Sequence, residues 1–344
     1  MIGLRLRHSL RRLDRATAAY RAAPGTRTLA AYLRASDRAL AGIAGRLVDD
    51  QTAVSVIKAN VIQQAAVAHV HAFHRLGGAD HADVAADLFC MLLDRAPSGA
   101  IRLAARVDLA TLEFSRYTED GQLSRLERSI ELYQEALREE PPDPGHRAIL
   151  LGGLGNALVE LSRRDSRGDA LDRAIRMHSE AVAGVAAEAP FRTAMLVNFA
   201  TALVTRWQRS ADPADLRQAS ELHELVSRAP DTDEQVAVAR AELLWEIYAA
   251  EGDPDRLEEV VATLVLVIDA MPEEVPLWRT AAANLANALL ERRWRFAEDN
   301  ALGPLLERAA QVTARAVYAL FSRAARLRPG QISRRRPVSS RSAA

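Results

Sequence analysis

Self-similarity at a spacing of 45 residues constrains this chain more than any single motif. LGNALVELSRRDSRGDALDRAIRMHSEAV, from Leu154, registers without a gap on FATALVTRWQRSADPADLRQASELHELV, from Phe199. Leu154 meets Phe199, Ala157 meets Ala202, Leu158 meets Leu203, Leu171 meets Leu216 and Ala174 meets Ala219. ADPADL at 211–216 recurs as GDPDRL at 252–257, LANALLERRW from Leu285 repeats LGNALVELSR, and VDLATLEFSR from Val107 fits the same frame, with spacings of 40 to 47. A repeat of this length is one supersecondary unit that cannot bury its apolar face alone, so neighbours must stack.

Each unit reads as two helices. Apolar residues recur at three- and four-residue intervals in both halves, without sustained alternation. Pro97, Pro141 to Pro144, Pro190, Pro230, Pro272 and Pro276 fall between units, where helices must stop. Asp212-Pro213 and Asp253-Pro254 start helices instead: the aspartate caps orphan amides, and proline at the first helical position lacks an N–H that would be unsatisfied anyway. Such a cap contributes about 1 kcal/mol. Ala110, Ala157, Ala202 and Ala288 form a column of small residues that lets first helices approach their neighbours. The expected fold is all-α: a right-handed α-α superhelix, or solenoid, of about six hairpins over residues 54–326, capped by two helices within residues 1–50.

LGNAL at 154–158 and DALDRAIRMHSEAV at 169–182 resemble the tetratricopeptide (TPR) superfamily, in the longer repeats common in actinobacterial proteins, where such arrays often precede a CHAT peptidase domain or accompany regulatory ATPases. The period exceeds the 34 residues usual for that superfamily, so a HEAT-like or other α-α repeat stays open on period alone. The resemblance covers residues 54–326 and implies a peptide- or protein-binding surface lined by the first helix of each unit. A peptidase domain of the CHAT kind needs strands, a histidine and a nucleophilic cysteine. Neither strands nor a spare cysteine are expected here.

Composition narrows the chemistry. Basic residues are 44 arginines against Lys58 alone, the coding bias of a GC-rich bacterial genome. Cys90, the one cysteine, excludes an intrachain disulfide framework and is expected as a small buried hydrophobe in LFCMLL. No apolar run reaches the ~18 residues of a membrane span, and the arginine-studded start is no secretory signal; a cytoplasmic location is expected. Residues 323–344 carry seven arginines and no acid, and residues 327–344 are expected to be a disordered basic tail. With no reading helix or aromatic platform, nucleic acid is not the expected partner.

Catalytic signatures are missing. GGLGNAL at 152–158 lacks the lysine of a phosphate-binding loop and sits within a helical pattern, so its glycines are expected to serve packing. His223-Glu224 opens like a zincin motif without its second histidine, and the repeat partner His178 would stand about 10 Å away, one helix packing distance, too far for a shared zinc with bonds near ~2 Å. Neither a metal nor a cofactor is expected. The eye-catching AHVHAFHRLGGADH at 68–81 becomes the turn of the first unit, placing His69 in a polar column, His71 in a buried one, His74 near the surface and His81 at the start of the second helix. Three ligands on one helix are excluded by their directions at about 100° per residue; His71 with His74, and His81 folding back, is the combination left open.

Candidate binding residues follow from the first helices. Leu109, Asn156, Thr201, Glu242 and Asn287 share one column beside apolar or small ones, and Arg163, Arg206, Trp207, Arg292 and Arg293 lie farther along. Asn156, Thr201, Glu242, Asn287 and the arginines would contact a ligand's backbone or carboxylates, and Trp207 would be an aromatic anchor, although core packing explains the tryptophans equally well. The expected function is non-enzymatic binding of a protein or peptide partner across a concave surface. A regulatory subunit for a separately encoded peptidase, ATPase or transcription factor, or an enzyme with scattered site residues, are the alternatives.

Overall fold

A computed structural model describes residues 4–47, 56–96, 98–139, 143–164, 168–189, 191–227, 234–271 and 276–295. These hold thirteen α-helices and no strand. The chain divides into two compact units, Met1–Ala229 and Pro230–Ala344. The first contains α1 (Leu4–Ala22), α2 (Thr26–Leu47), α3 (Val56–Leu76), α4 (Ala79–Arg95), α5 (Gly99–Asp120), α6 (Leu123–Arg138), α7 (Pro144–Arg164), α8 (Ala170–Ala183), α9 (Arg192–Ser210) and α10 (Pro213–Ser227). The second contains α11 (Glu234–Glu251), α12 (Pro254–Ala270) and α13 (Pro276–Arg295). The expected tail at 327–344 lies outside the described residues, as does any closure of a sixth hairpin after α13.

Consecutive helices pair as hairpins, and each second helix packs on the first helix of the next hairpin within its unit. First helices also touch one another, α3 with α5, α5 with α7, and α7 with α9; α11 and α13 do the same in the second unit. They can do so because the small column is where the repeat frame puts it: Ala110, Ala157, Ala202 and Ala288 are fully buried. The chain is a helical-repeat protein. On the amino-terminal side, Leu13 and Tyr20 of α1 are buried, and Tyr32 of α2 donates its hydroxyl to the carbonyl of Gln64 in α3 at 2.9 Å.

Local chemistry sets each turn. Asp212 accepts from the Ala214 amide at 2.9 Å and Asp253 from the Asp255 amide at 3.0 Å, the caps anticipated from sequence. Four first helices end on a left-handed residue that closes a bond to the last turn: Gly77, Gly121 and Gly252 with φ of 71°, 70° and 72°, and Ala211 with φ of 54°. Glycine carries that conformation without strain, whereas alanine's Cβ does not.

The GGLGNAL glycines serve packing, as expected. A Cβ on Gly153 would come within 2.5 Å of the Tyr133 ring, and one on Gly155 within 2.6 Å of the His178 ring. His178 is buried with no hydrogen-bond partner for either nitrogen among the described residues, and burial lowers its pKa from 6.5 to about 4. It therefore folds as a neutral ring. Cys90 departs from expectation: it is exposed on α4, because α4 turns Phe89 and Leu92, not Cys90, into the core.

Three outcomes are expected. Ala211→Gly raises the urea midpoint, corresponding to about 1 kcal/mol. Gly155→Ala destabilises by about 2 kcal/mol through overpacking, and most of that loss disappears in the Gly155→Ala, His178→Ala double variant, as a double-mutant cycle would measure. His178 supplies stability that is full above pH 6.5 and lost as pH falls through about 4, so urea titrations across that window should flatten in His178→Leu.

Candidate functional site

The first helices bring the expected residues together in two places, one per unit. In Met1–Ala229, Asn156 and Arg163 of α7 and Thr201 of α9 line a recess of about 120 Å³ with Phe114, Val159, Glu160 and Asn198. Thr201 donates its hydroxyl to the Val197 carbonyl at 2.9 Å, and Arg163 pairs with Glu160 one turn back at 2.5 Å. The amides of Asn156 and Asn198 have no partner among the described residues. Each can donate and accept at once, as a peptide group does. In Pro230–Ala344, Glu242 of α11 accepts from Asn284 of α13 at 3.0 Å, and both line a cavity of about 250 Å³ with Asn287 and Trp245.

The remaining candidates stand elsewhere. Arg206 grips Asp215 through two bonds, Nε to Oδ2 at 2.9 Å and Nη2 to Oδ1 at 2.6 Å, and reaches Asp172 at 2.9 Å. It thus ties α9 to α10 and α8. Proximity is the reason: a residue near the end of a first helix meets the first turn of its own second helix, where Asp215 sits almost fully buried. Arg292 likewise binds Glu258 of α12 at 2.5 Å. Trp207 is half-buried, Trp278 is core, and the side chain of Arg293 lies outside the described residues.

The histidines are arranged differently from the expectation. His69 is the buried one, His71 is half-buried against the Tyr20 ring at 5.0 Å between centroids, and His74 is exposed. Burial lowers the pKa of His69 and His71. His81 folds back across the Gly77-Gly78 turn onto His69 and not onto His71: the Nδ1 atoms are 3.0 Å apart, while His69 Nε2 faces Asp37 of α2 at 3.4 Å. Contacts from outside α3 accompany the exchange: Asp37 of α2 and His81 lie against the His69 ring, and Tyr20 of α1 lies against His71. No group of three potential metal ligands occurs among the described residues.

One feature escaped the sequence reading. A cavity of about 890 Å³ opens between the amino-terminal halves of α5 and α7, lined by Leu103, Val107, Ile149 and Leu150, with Arg102, Glu139, His146 and Asp108 contributing polar groups. Asp108 accepts a hydrogen bond from Gln63 Nε2 of α3. Burial pushes its carboxyl up to about 6, against the opposing pull of that bond. A signal existed: the frame puts Ala68, Gly155, Ala200, Ala241 and Ala286 at the position of Asp108, so a carboxylate interrupts a column of small residues. The surrounding charges are engaged elsewhere, Arg106 with Glu135 and Glu139, His146 with Asp143 at 2.6 Å, and Arg102 on the Ala96 carbonyl at 3.2 Å.

No protein-family model matches the sequence, and no curated protein matches it either. Among solved structures, the chain is similar to a de novo designed helical repeat protein, 19% identical, with a TM-score of 0.20, over 64% of this chain and 94% of that one. Among the described residues, no helix is long and apolar enough to cross a membrane.

Because the carboxyl of Asp108 is raised from 3.8 to about 6, its contribution to stability is full below pH 3.8 and lost as pH rises through 6. Asp108→Asn is therefore expected to be more stable than the parent at pH 7, by about 2 kcal/mol, and equal to it near pH 3.8. Paired denaturant titrations check both ends.

Proposed function

We propose that this chain is a non-enzymatic helical-repeat scaffold that holds an extended peptide or protein segment against its first helices. The observation that supports this reading is the pair of unpartnered carboxamides, Asn156 and Asn198, on adjacent first helices around one recess. Their donor and acceptor pattern complements peptide groups of any sequence, and Phe114 offers an apolar contact beside them. Glu242, Asn287 and Trp245 offer a comparable mixture in the second unit. Placing the array with TPR-like repeats of the actinobacterial kind, and the protein in the cytoplasm, belongs to the same proposal. The two-helix unit and its small-residue column support the former.

Peptides selected from a random library against the full chain test it. Asn156→Ala and Asn198→Ala should each weaken the selected peptides by about 1 kcal/mol without changing the melting temperature. Selected peptides that bind both variants as tightly as the parent would sink the proposal.

A further inference from the structure

The cavity between α5 and α7 has walls and charge that match a different ligand. Leu103, Val107 and Leu150 supply an apolar surface, and Ile149 is 43% exposed beside them, a large aliphatic side chain left open at a concave site. Asp108 brings a carboxylate to this surface, yet among the described residues no arginine or lysine pairs with it. Its hydrogen-bond donor is the neutral Gln63 amide of α3, which brings no charge to the carboxylate. An anionic acceptor with a neutral donor beside it, at an apolar concavity, asks for a group that brings N–H bonds and a positive charge.

We propose that this cavity binds a small organic monocation, a primary ammonium on an apolar body, with Asp108 as the anchor. An ammonium brings three donors and the opposite charge on one nitrogen. The charge-assisted bond to Asp108 forms in a partly desolvated setting, where such bonds are strongest. The apolar body lies against Leu103, Val107, Ile149 and Leu150, the arrangement of few polar groups in a mostly apolar concavity that small-molecule sites share. The raised carboxyl of Asp108 fits this picture, since a bound cation returns the charge partner that burial has taken away. This site is distinct from the Asn156 recess, and its failure leaves the peptide reading standing.

Calorimetric titration of the full chain with phenylbutylammonium, phenylbutanol and phenylbutyrate at pH 7.5 tests it; these probes share one apolar body and differ in the charge of the head. The ammonium should bind the parent protein tighter than the alcohol by about tenfold or more, and the carboxylate most weakly. Asp108→Asn, which keeps shape and folding, should bring the ammonium down to the alcohol, while Ile149→Trp, filling the exposed edge, should weaken both. Equal binding of alcohol and ammonium, a preference that survives Asp108→Asn, or no binding of any of the three would overturn the proposal.

Discussion

Everything in this structure depends on the close approach of neighbouring helices at a column of alanines. A single hairpin here leaves one apolar face open, and only another hairpin can cover it. Ala110, Ala157, Ala202 and Ala288 remove the side-chain bulk that would hold the helices apart. With that contact made, larger side chains can interlock around it, such as His178 over Gly155 and Tyr133 over Gly153. The hydrophobic effect supplies the drive, but the small column decides where it acts.

Polar groups then refine a stack that apolar packing has already built. Ser129 donates to the Ala110 carbonyl across α5 and α6 at 2.8 Å. Arg147 reaches Glu180, Arg116 reaches Asp83, and Arg206 joins three helices through two aspartates. Exposed pairs of this kind contribute little singly; the Arg206 clamp differs because Asp215 is almost fully buried and bonded at both oxygens. Arginine suits the task, since its planar fork matches a carboxylate at two points.

Periodicity made the fold legible, because helical spacing, proline breaks and aspartate caps all report on contacts within a few residues. The Asp212 and Asp253 caps and the packing glycines are of this kind. Residues whose role is fixed by a neighbouring repeat were harder. His69 and His71 exchanged roles through side chains from outside α3, Asp37 and His81 at one ring and Tyr20 at the other, which no helical phase along α3 encodes. Arg206 looked like a groove residue until the first turn of α10 supplied Asp215. Cys90 sat in an apolar run, yet helical phase turned it outward. Asp108 was legible in principle, as the exception in a column of alanine and glycine, but an exception is visible only after the column has been aligned.

The ends of the first helices differ in how they are joined. Near their carboxyl ends, arginines reach back across a full repeat: Arg164 of α7 to the Tyr117 hydroxyl of α5 at 3.2 Å, and Arg209 of α9 to the Ser162 carbonyl of α7 at 2.7 Å. Near their amino ends, α5 and α7 stand apart around the large cavity. The cavity therefore opens at the end of the α5–α7 pair away from the Tyr117–Arg164 tie, so a change of side chain at the amino ends of these helices reshapes the cavity and leaves that tie in place.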